Sequence, residues 1–149
     1  IAGRWQLDDA WRVGAALGVL RSRYIGYRVG DRDLGDRDQA HAPRSQYTLS
    51  VEYRSPRGAY ARADLQGVDA FYFSESHDQR SRPYRLLSLR AGWAGERWDA
   101  SVWVRNALDE AWTQRGFFFG NEPPDFPDKL YVQPGDPRQL GLTVRIDLR

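Results

Sequence analysis

The sequence predicts an all-β protein: an antiparallel up-and-down meander of about six strands, a segment of a large transmembrane β-barrel. Three observations carry that expectation. Apolar residues recur at every second position in six stretches, the mark of strands with two unlike faces. The connections alternate between tight turns and long polar loops. Aromatic residues stand at the ends of the apolar rows: Trp11, Tyr47, Tyr53, Trp93 and Trp98.

Each element follows from its own pattern. A strand remnant at Gly3 to Leu7 turns at Asp8-Asp9-Ala10 into a first strand, Trp11 to Tyr27, with Trp11, Val13, Ala15, Leu17 and Val19 on one side. The second, Ser45 to Arg54, sets Tyr47, Leu49, Val51 and Tyr53 against Gln46, Thr48, Ser50, Glu52 and Arg54. Ser55-Pro56-Arg57-Gly58 has Pro and Gly where a tight turn wants them. The third, Ala59 to Phe73, alternates Ala59, Ala61, Ala63 and Leu65 with Tyr60, Arg62, Asp64 and Gln66. The fourth is Tyr84 to Ala94, and Gly95-Glu96-Arg97 turns it into the fifth, Trp98 to Asn106. The sixth, Arg138 to Arg149, opposes Leu140, Leu142, Val144, Ile146 and Leu148 to Gln139, Gly141, Thr143, Arg145 and Asp147. The remaining connections are read as long loops: Val29 to Arg44, Ser74 to Pro83, and Ala107 to Pro137 with most of the prolines.

Periodicity alone does not say whether the apolar rows meet a protein core or lipid. Three details favour lipid. Rings at row ends suit a membrane–water interface, and Tyr47 to Tyr53 spans about 20 Å of strand. Rows rich in alanine (Ala59, Ala61, Ala63, Ala91, Ala100) would underfill a soluble core. The polar rows carry alternating charges, as in Arg62 and Asp64 or Arg145 and Asp147, which suits a wet lumen. Short turns at one end and long loops at the other is the arrangement of outer-membrane barrels. The alternative is a small soluble or membrane β-barrel binding module, lipocalin-like. Six strands do not close a membrane barrel, which needs at least about eight, and an open edge in lipid is costly. The expectation is therefore one unit, residues 1–149, with further strands upstream. The lack of a charged leader and apolar core at Ile1-Ala2-Gly3-Arg4-Trp5 fits that expectation.

Composition narrows function. Cysteine is absent, which excludes disulfides, thiolate metal sites and cysteine nucleophiles. A net charge of +2 gives no basic face for nucleic acid. No phosphate loop, nucleophile elbow or zincin motif occurs, so no enzyme, cofactor or metal site is expected. His41 and His77 read as solvated loop residues. Asp31, Asp33, Asp36 and Asp38 read as a charged loop offset by Arg32 and Arg37, without the glycine and glutamate positions of an EF-hand.

Two motifs carry a family likeness. The run Trp98 to Trp112, with Asn106-Ala107-Leu108-Asp109-Glu110-Ala111-Trp112, resembles the penultimate strand of TonB-dependent outer-membrane receptors, which ends in an Asn-Leu-Phe-Asp-Glu-x-Tyr pattern. The tail Pro134-Gly135-Asp136-Pro137-Arg138-Gln139-Leu140-Gly141, followed by alternating apolar residues, is similar to that family's closing strand. Ala42-Pro43 and Pro83 before their strands fit the same template. The ending Asp147-Leu148-Arg149 departs from the family's usual terminal aromatic.

The resemblance implies a plugged barrel of about 22 strands, of which this chain supplies the carboxy-terminal wall and loops. It also implies outer-membrane location and TonB-driven uptake of a scarce small-molecule ligand, such as a ferric siderophore. The implied partners are the lipid bilayer, the remaining barrel strands, the receptor's own plug and, through that plug, the TonB complex. Tyr60, Arg62, Arg90, Trp103 and Arg105, on lumen-facing rows, are candidate plug or ligand contacts. Phe117, Phe118 and Phe119, in a proline-rich loop, are expected to pack on the plug or neighbouring loops, or to stack on a ligand.

Overall fold

The computed structural model describes residues 1–148. Its strands are β1 (Ala2–Gln6), β2 (Trp11–Val19), β3 (Arg28–Val29), β4 (Arg32–Asp33), β5 (Ser45–Arg54), β6 (Ala59–Val68), β7 (Tyr84–Ala94), β8 (Trp98–Arg105), β9 (Thr113–Phe119), β10 (Lys129–Pro134) and β11 (Gln139–Ile146). Seven form one antiparallel sheet in the order β1-β2-β5-β6-β7-β8-β11. Every neighbour in that order is also the next sheet strand along the chain, so the sheet is the predicted up-and-down meander. The strand remnant before Asp8 is its first edge.

The register keeps the two kinds of row apart across the whole sheet. Trp5, Val13, Val51, Ala63, Leu89, Val104 and Leu140 are successive cross-strand partners on one face. One step along, Gln6, Arg12, Glu52, Arg62, Arg90, Trp103 and Gly141 do the same on the other. A slip of one residue anywhere would mix these faces.

The apolar face is uncovered. Val102 is 59% exposed, Ile146 62% and Leu142 68%. The buried apolar residues are Leu34, Val68, Phe71 and Phe73, and none belongs to those apolar rows. They gather at the long-loop end, where Val68 lies on the polar face and Phe71 meets Phe73 edge-on. The loops thus pack over the polar side of the sheet. At the opposite end the turns are short, and Trp5, Trp11, Tyr53, Trp93 and Trp98 form a band across the apolar face, with Trp11 and Tyr53 at 4.9 Å.

Four predicted elements differ from what forms. The first strand ends at Val19 rather than Tyr27, and the third at Val68 rather than Phe73. Pro43 would stand opposite Phe71, at the next hydrogen-bonded pair beyond Ser45 and Asp69, and has no N–H to continue that ladder. Beyond Leu20, whose N–H donates to the Arg44 carbonyl, the Ser22 carbonyl accepts instead from Gln39 N–H. The closing strand runs Gln139–Ile146, and Arg149 lies outside the described residues. The stretch Ala107 to Pro137, read as a loop, contains the β9–β10 hairpin, so Phe117, Phe118 and Phe119 are strand residues. Proline and an unalternating Phe-Phe-Phe concealed its period.

Candidate functional site

The polar face is a charged wall whose groups largely satisfy one another. Arg62 and Arg90 are direct cross-strand partners, a like-charge pairing that disfavours the sheet. Each guanidinium turns away to its own acceptors. Arg62 donates Nε and Nη2 to the two oxygens of Asp64 at 2.7 and 2.6 Å, and Nη1 to Glu52 at 3.3 Å. Arg90 donates Nε to the Ser101 hydroxyl at 3.1 Å and Nη2 to the Tyr60 hydroxyl at 3.4 Å. The Tyr60 hydroxyl in turn donates to Asp99 at 3.0 Å. Trp103 lies flat over Gly141 and donates Nε1 to Thr143 Oγ1 at 3.2 Å. The Arg105 guanidinium sits 5.0 Å from the Trp103 ring centroid.

The structure therefore brings Tyr60, Arg62, Arg90, Trp103 and Arg105 onto one wall and leaves Phe117, Phe118 and Phe119 apart in the hairpin. Of these three, Phe118 packs on protein: it stacks on the His77 ring at 3.6 Å, nearly parallel. Phe117 lies 5.9 Å from Tyr131, and Phe117 and Phe119 remain exposed. Glu122 and Lys129 form an ion pair that pins the hairpin's tip. The hydrogen bond between them holds the Glu122 carboxyl below, and the Lys129 amine above, their ordinary pKa values.

Two residue readings change. His77 is half-buried rather than solvated: Nδ1 is 3.0 Å from Ser74 Oγ, and Nε2 is 3.8 Å from Asp128. His41 is exposed, with its ring tilted against Phe71 at 5.6 Å. Asp38 is buried and accepts from Arg44 at 2.7 Å, so the aspartate loop is in part a packed element. Beside it the Arg37 side chain is only 8% exposed. It lies 4.1 Å over the Tyr72 ring and donates to Asp78 at 2.8 Å. That hydrogen bond, with the charge of Arg32 beside it, holds the Asp78 carboxyl below the usual carboxylate range.

The family-like motif closes the base of the last loop. Asn106 is buried with φ of 47°, a conformation asparagine tolerates better than most residues. Its amide donates to the carbonyls of Glu110 (2.9 Å) and Asp136 (3.2 Å) and accepts from Glu110 N–H. Asp109 accepts from Arg138 N–H, Glu110 from Arg85 N–H, and Trp112 donates to the Asp136 carbonyl. The motif residues thus tie the ends of β8 and β11 to the start of β7.

Sequence reasoning missed a cavity of about 610 Å³ beneath the loops on the polar face, lined in part by His41, Gln46, Gln66, Phe71, Tyr84 and Gln114. Gln46 and Gln66 were legible as polar-row residues. The loop residues that roof them were not, because their approach depends on tertiary packing.

No family model matches the sequence. Among the solved structures that share the fold are two receptors. One is the ferric yersiniabactin uptake receptor FyuA from Yersinia pestis, with a TM-score of 0.75 and 21% identity over 98% of this chain. The other is the siderophore receptor PiuA from Acinetobacter baumannii, with a TM-score of 0.77 and 16% identity over 96% of this chain. The match covers 22% and 20% of those chains, so this chain spans about a fifth of the receptors it resembles. Its fold is that of a stretch of such a β-barrel receptor.

Proposed function

We propose that the chain is a carboxy-terminal segment of the barrel wall and surface loops of an outer-membrane, TonB-dependent receptor that takes up a scarce small-molecule ligand such as a ferric siderophore. The observation that carries this reading is the placement of the core. The apolar rows are continuous and uncovered over seven strands, while the buried apolar residues Leu34, Val68, Phe71 and Phe73 lie at the long-loop end and none is in those rows. A lipid-embedded wall needs that inversion, because lipid covers the outer face and the loops narrow the mouth. Four of the seven sheet strands have the length the reading requires. β2, β5, β6 and β7 run 9, 10, 10 and 11 residues, against about 9–11 for a tilted spanning strand.

The aromatic band at the short-turn end suits one membrane interface. The likeness to two siderophore receptors supports the ligand class, and it supports transport rather than catalysis. A lipocalin-like container would turn its apolar rows inward, which leaves the uncovered apolar face unexplained. In the proposed receptor the polar wall of Tyr60, Arg62, Arg90, Trp103 and Arg105 faces the lumen and plug. The exposed Phe117 and Phe119 face neighbouring loops.

Because the chain lacks cysteine, single introduced cysteines report the orientation. In cells expressing the intact receptor, Asp125→Cys in the long loop is expected to react with a membrane-impermeant maleimide, and Glu96→Cys in the short turn to be protected. Ligand uptake is expected to stop when TonB is deleted. Surface labelling of Glu96→Cys, or TonB-independent uptake, contradicts the proposal.

A further inference from the structure

We infer that a groove on the outward, apolar face, at the long-loop end of the strands, holds the headgroup of a membrane lipid that carries both a phosphate ester and an ammonium group, of the phosphoethanolamine kind. This rests on the receptor reading and names one lipid contact within it. The groove is built by register. Leu17, Tyr47, Gly67 and Arg85 are successive cross-strand partners on the apolar face. Position 67 has no side chain, and the Tyr47 ring lies where a Cβ would collide with it. The ring borders an open groove of about 450 Å³, lined in part by Ser45, Tyr47, Asp69, Arg85, Leu108 and Glu110.

Arg85 is the charge that calls for a partner. The side chains that follow it on the same face of β7 are Leu87, Leu89, Ala91 and Trp93, all apolar. A cation on a lipid-facing row is costly at the bilayer midplane and nearly free at the interface, so Arg85 stands where headgroups begin. Tyr47 agrees, lying about 20 Å along β5 from Tyr53 in the aromatic band at the opposite end. The Arg85 guanidinium has no ion pair among the described residues. Two carboxylates share the groove. Glu110 accepts from Arg85 N–H at 3.0 Å and Asp69 from Ala70 N–H at 2.7 Å. Neither pairs with a cation among the described residues, and Arg44, next to Ser45 in the chain, is bonded to Asp38.

A purely anionic headgroup would meet Arg85 and be repelled by the carboxylates, and a purely cationic one would meet the reverse. A headgroup with both charges matches both. The guanidinium fork suits a phosphate, and the carboxylates accept from an ammonium. Below the groove the outward row continues as Leu49, Leu65 and Leu87. With Tyr47 and Leu108, which is 58% exposed, these give the acyl chains an apolar track that leads straight from the charged groups.

The test uses the intact receptor in detergent, titrated with dioctanoyl phosphatidylethanolamine or dioctanoyl phosphatidylglycerol and followed by native mass spectrometry. The wild type is expected to hold its first ethanolamine lipid at least about tenfold more tightly than its first glycerol lipid. Arg85→Gln is expected to lose that tight site. Asp69→Asn with Glu110→Gln keeps the oxygens that accept from the backbone, and is expected to erase the preference. Thermal unfolding of each variant reports folding separately. Equal binding of the two lipids by the wild type overturns the inference. So does a folded Arg85→Gln receptor that keeps the tight site, or a folded Asp69→Asn, Glu110→Gln receptor that keeps the preference. If lipid-facing side chains are still quenched from the bilayer, the receptor reading survives each of those results.

Discussion

At the scale of single residues, three contacts make quantitative claims. Trp103 can donate to Thr143 only because position 141 has no side chain. A Cβ there would stand 2.1 Å from the indole. Gly141→Val is expected to expel the ring and cost about 1–3 kcal/mol, read as a lowered urea midpoint of the folded barrel. Asn106 holds three hydrogen bonds in a buried site. Asn106→Ala leaves backbone groups unpaired at about 1–3 kcal/mol each, and hydrogen exchange is expected to quicken at Glu110 and at the start of β11. Asp78 makes a claim about pH. Its carboxyl titrates lower when folded, chiefly through the Arg37 hydrogen bond. The stabilisation is therefore fully present above the ordinary carboxylate pKa and is lost as pH falls through the depressed folded value. Loop amides near Arg37 are expected to exchange faster in that acid range, and Asp78→Asn to be fast at every pH. A flat wild-type profile would refute the coupling.

At the scale of elements, what the sequence could show depended on whether an element had a period. β5, β7 and β8 were legible almost residue by residue, because each alternates and faces two unlike media. The ends of β2 and β6 were misplaced, although Pro43, which stops the ladder between β5 and β6, was visible. Seeing its effect required knowing the partner strand's register. The β9–β10 hairpin was illegible for another reason. Its faces divide by tertiary contact, with Phe118 and Gly116 turned to His77 and Phe73, and both faces are aromatic. Alternation put Tyr60, Arg62, Arg90, Trp103 and Arg105 on one face, which is where the register has them. The cavity was missed because its roof comes from loops without periodicity. Phe118→Ala is expected to loosen the hairpin by about 0.5–1.5 kcal/mol, seen as faster exchange in β9 and β10. Phe119→Ser, at an exposed position with no ring partner, is expected to leave the exchange nearly unchanged. Equal effects would mean that His77 stacking does not hold the hairpin.

At the scale of the molecule, one inversion organises everything else. Loop aromatics are buried among the long loops, and the apolar wall is left open. The small side chains of the apolar rows, Ala61, Ala63 and Ala91 among them, need no interlocking partner if lipid chains cover them. The measurement that tests this most directly is quenching along β11, from single cysteines carrying an environment-sensitive fluorophore in the barrel reconstituted in bilayers. Leu142→Cys, Val144→Cys and Ile146→Cys are predicted to be quenched by a bilayer-dissolved agent, and Thr143→Cys and Arg145→Cys by an aqueous one. If positions 142, 144 and 146 are shielded from the lipid-borne quencher while 143 and 145 meet bulk water, a protein core covers the apolar face and the receptor account is wrong.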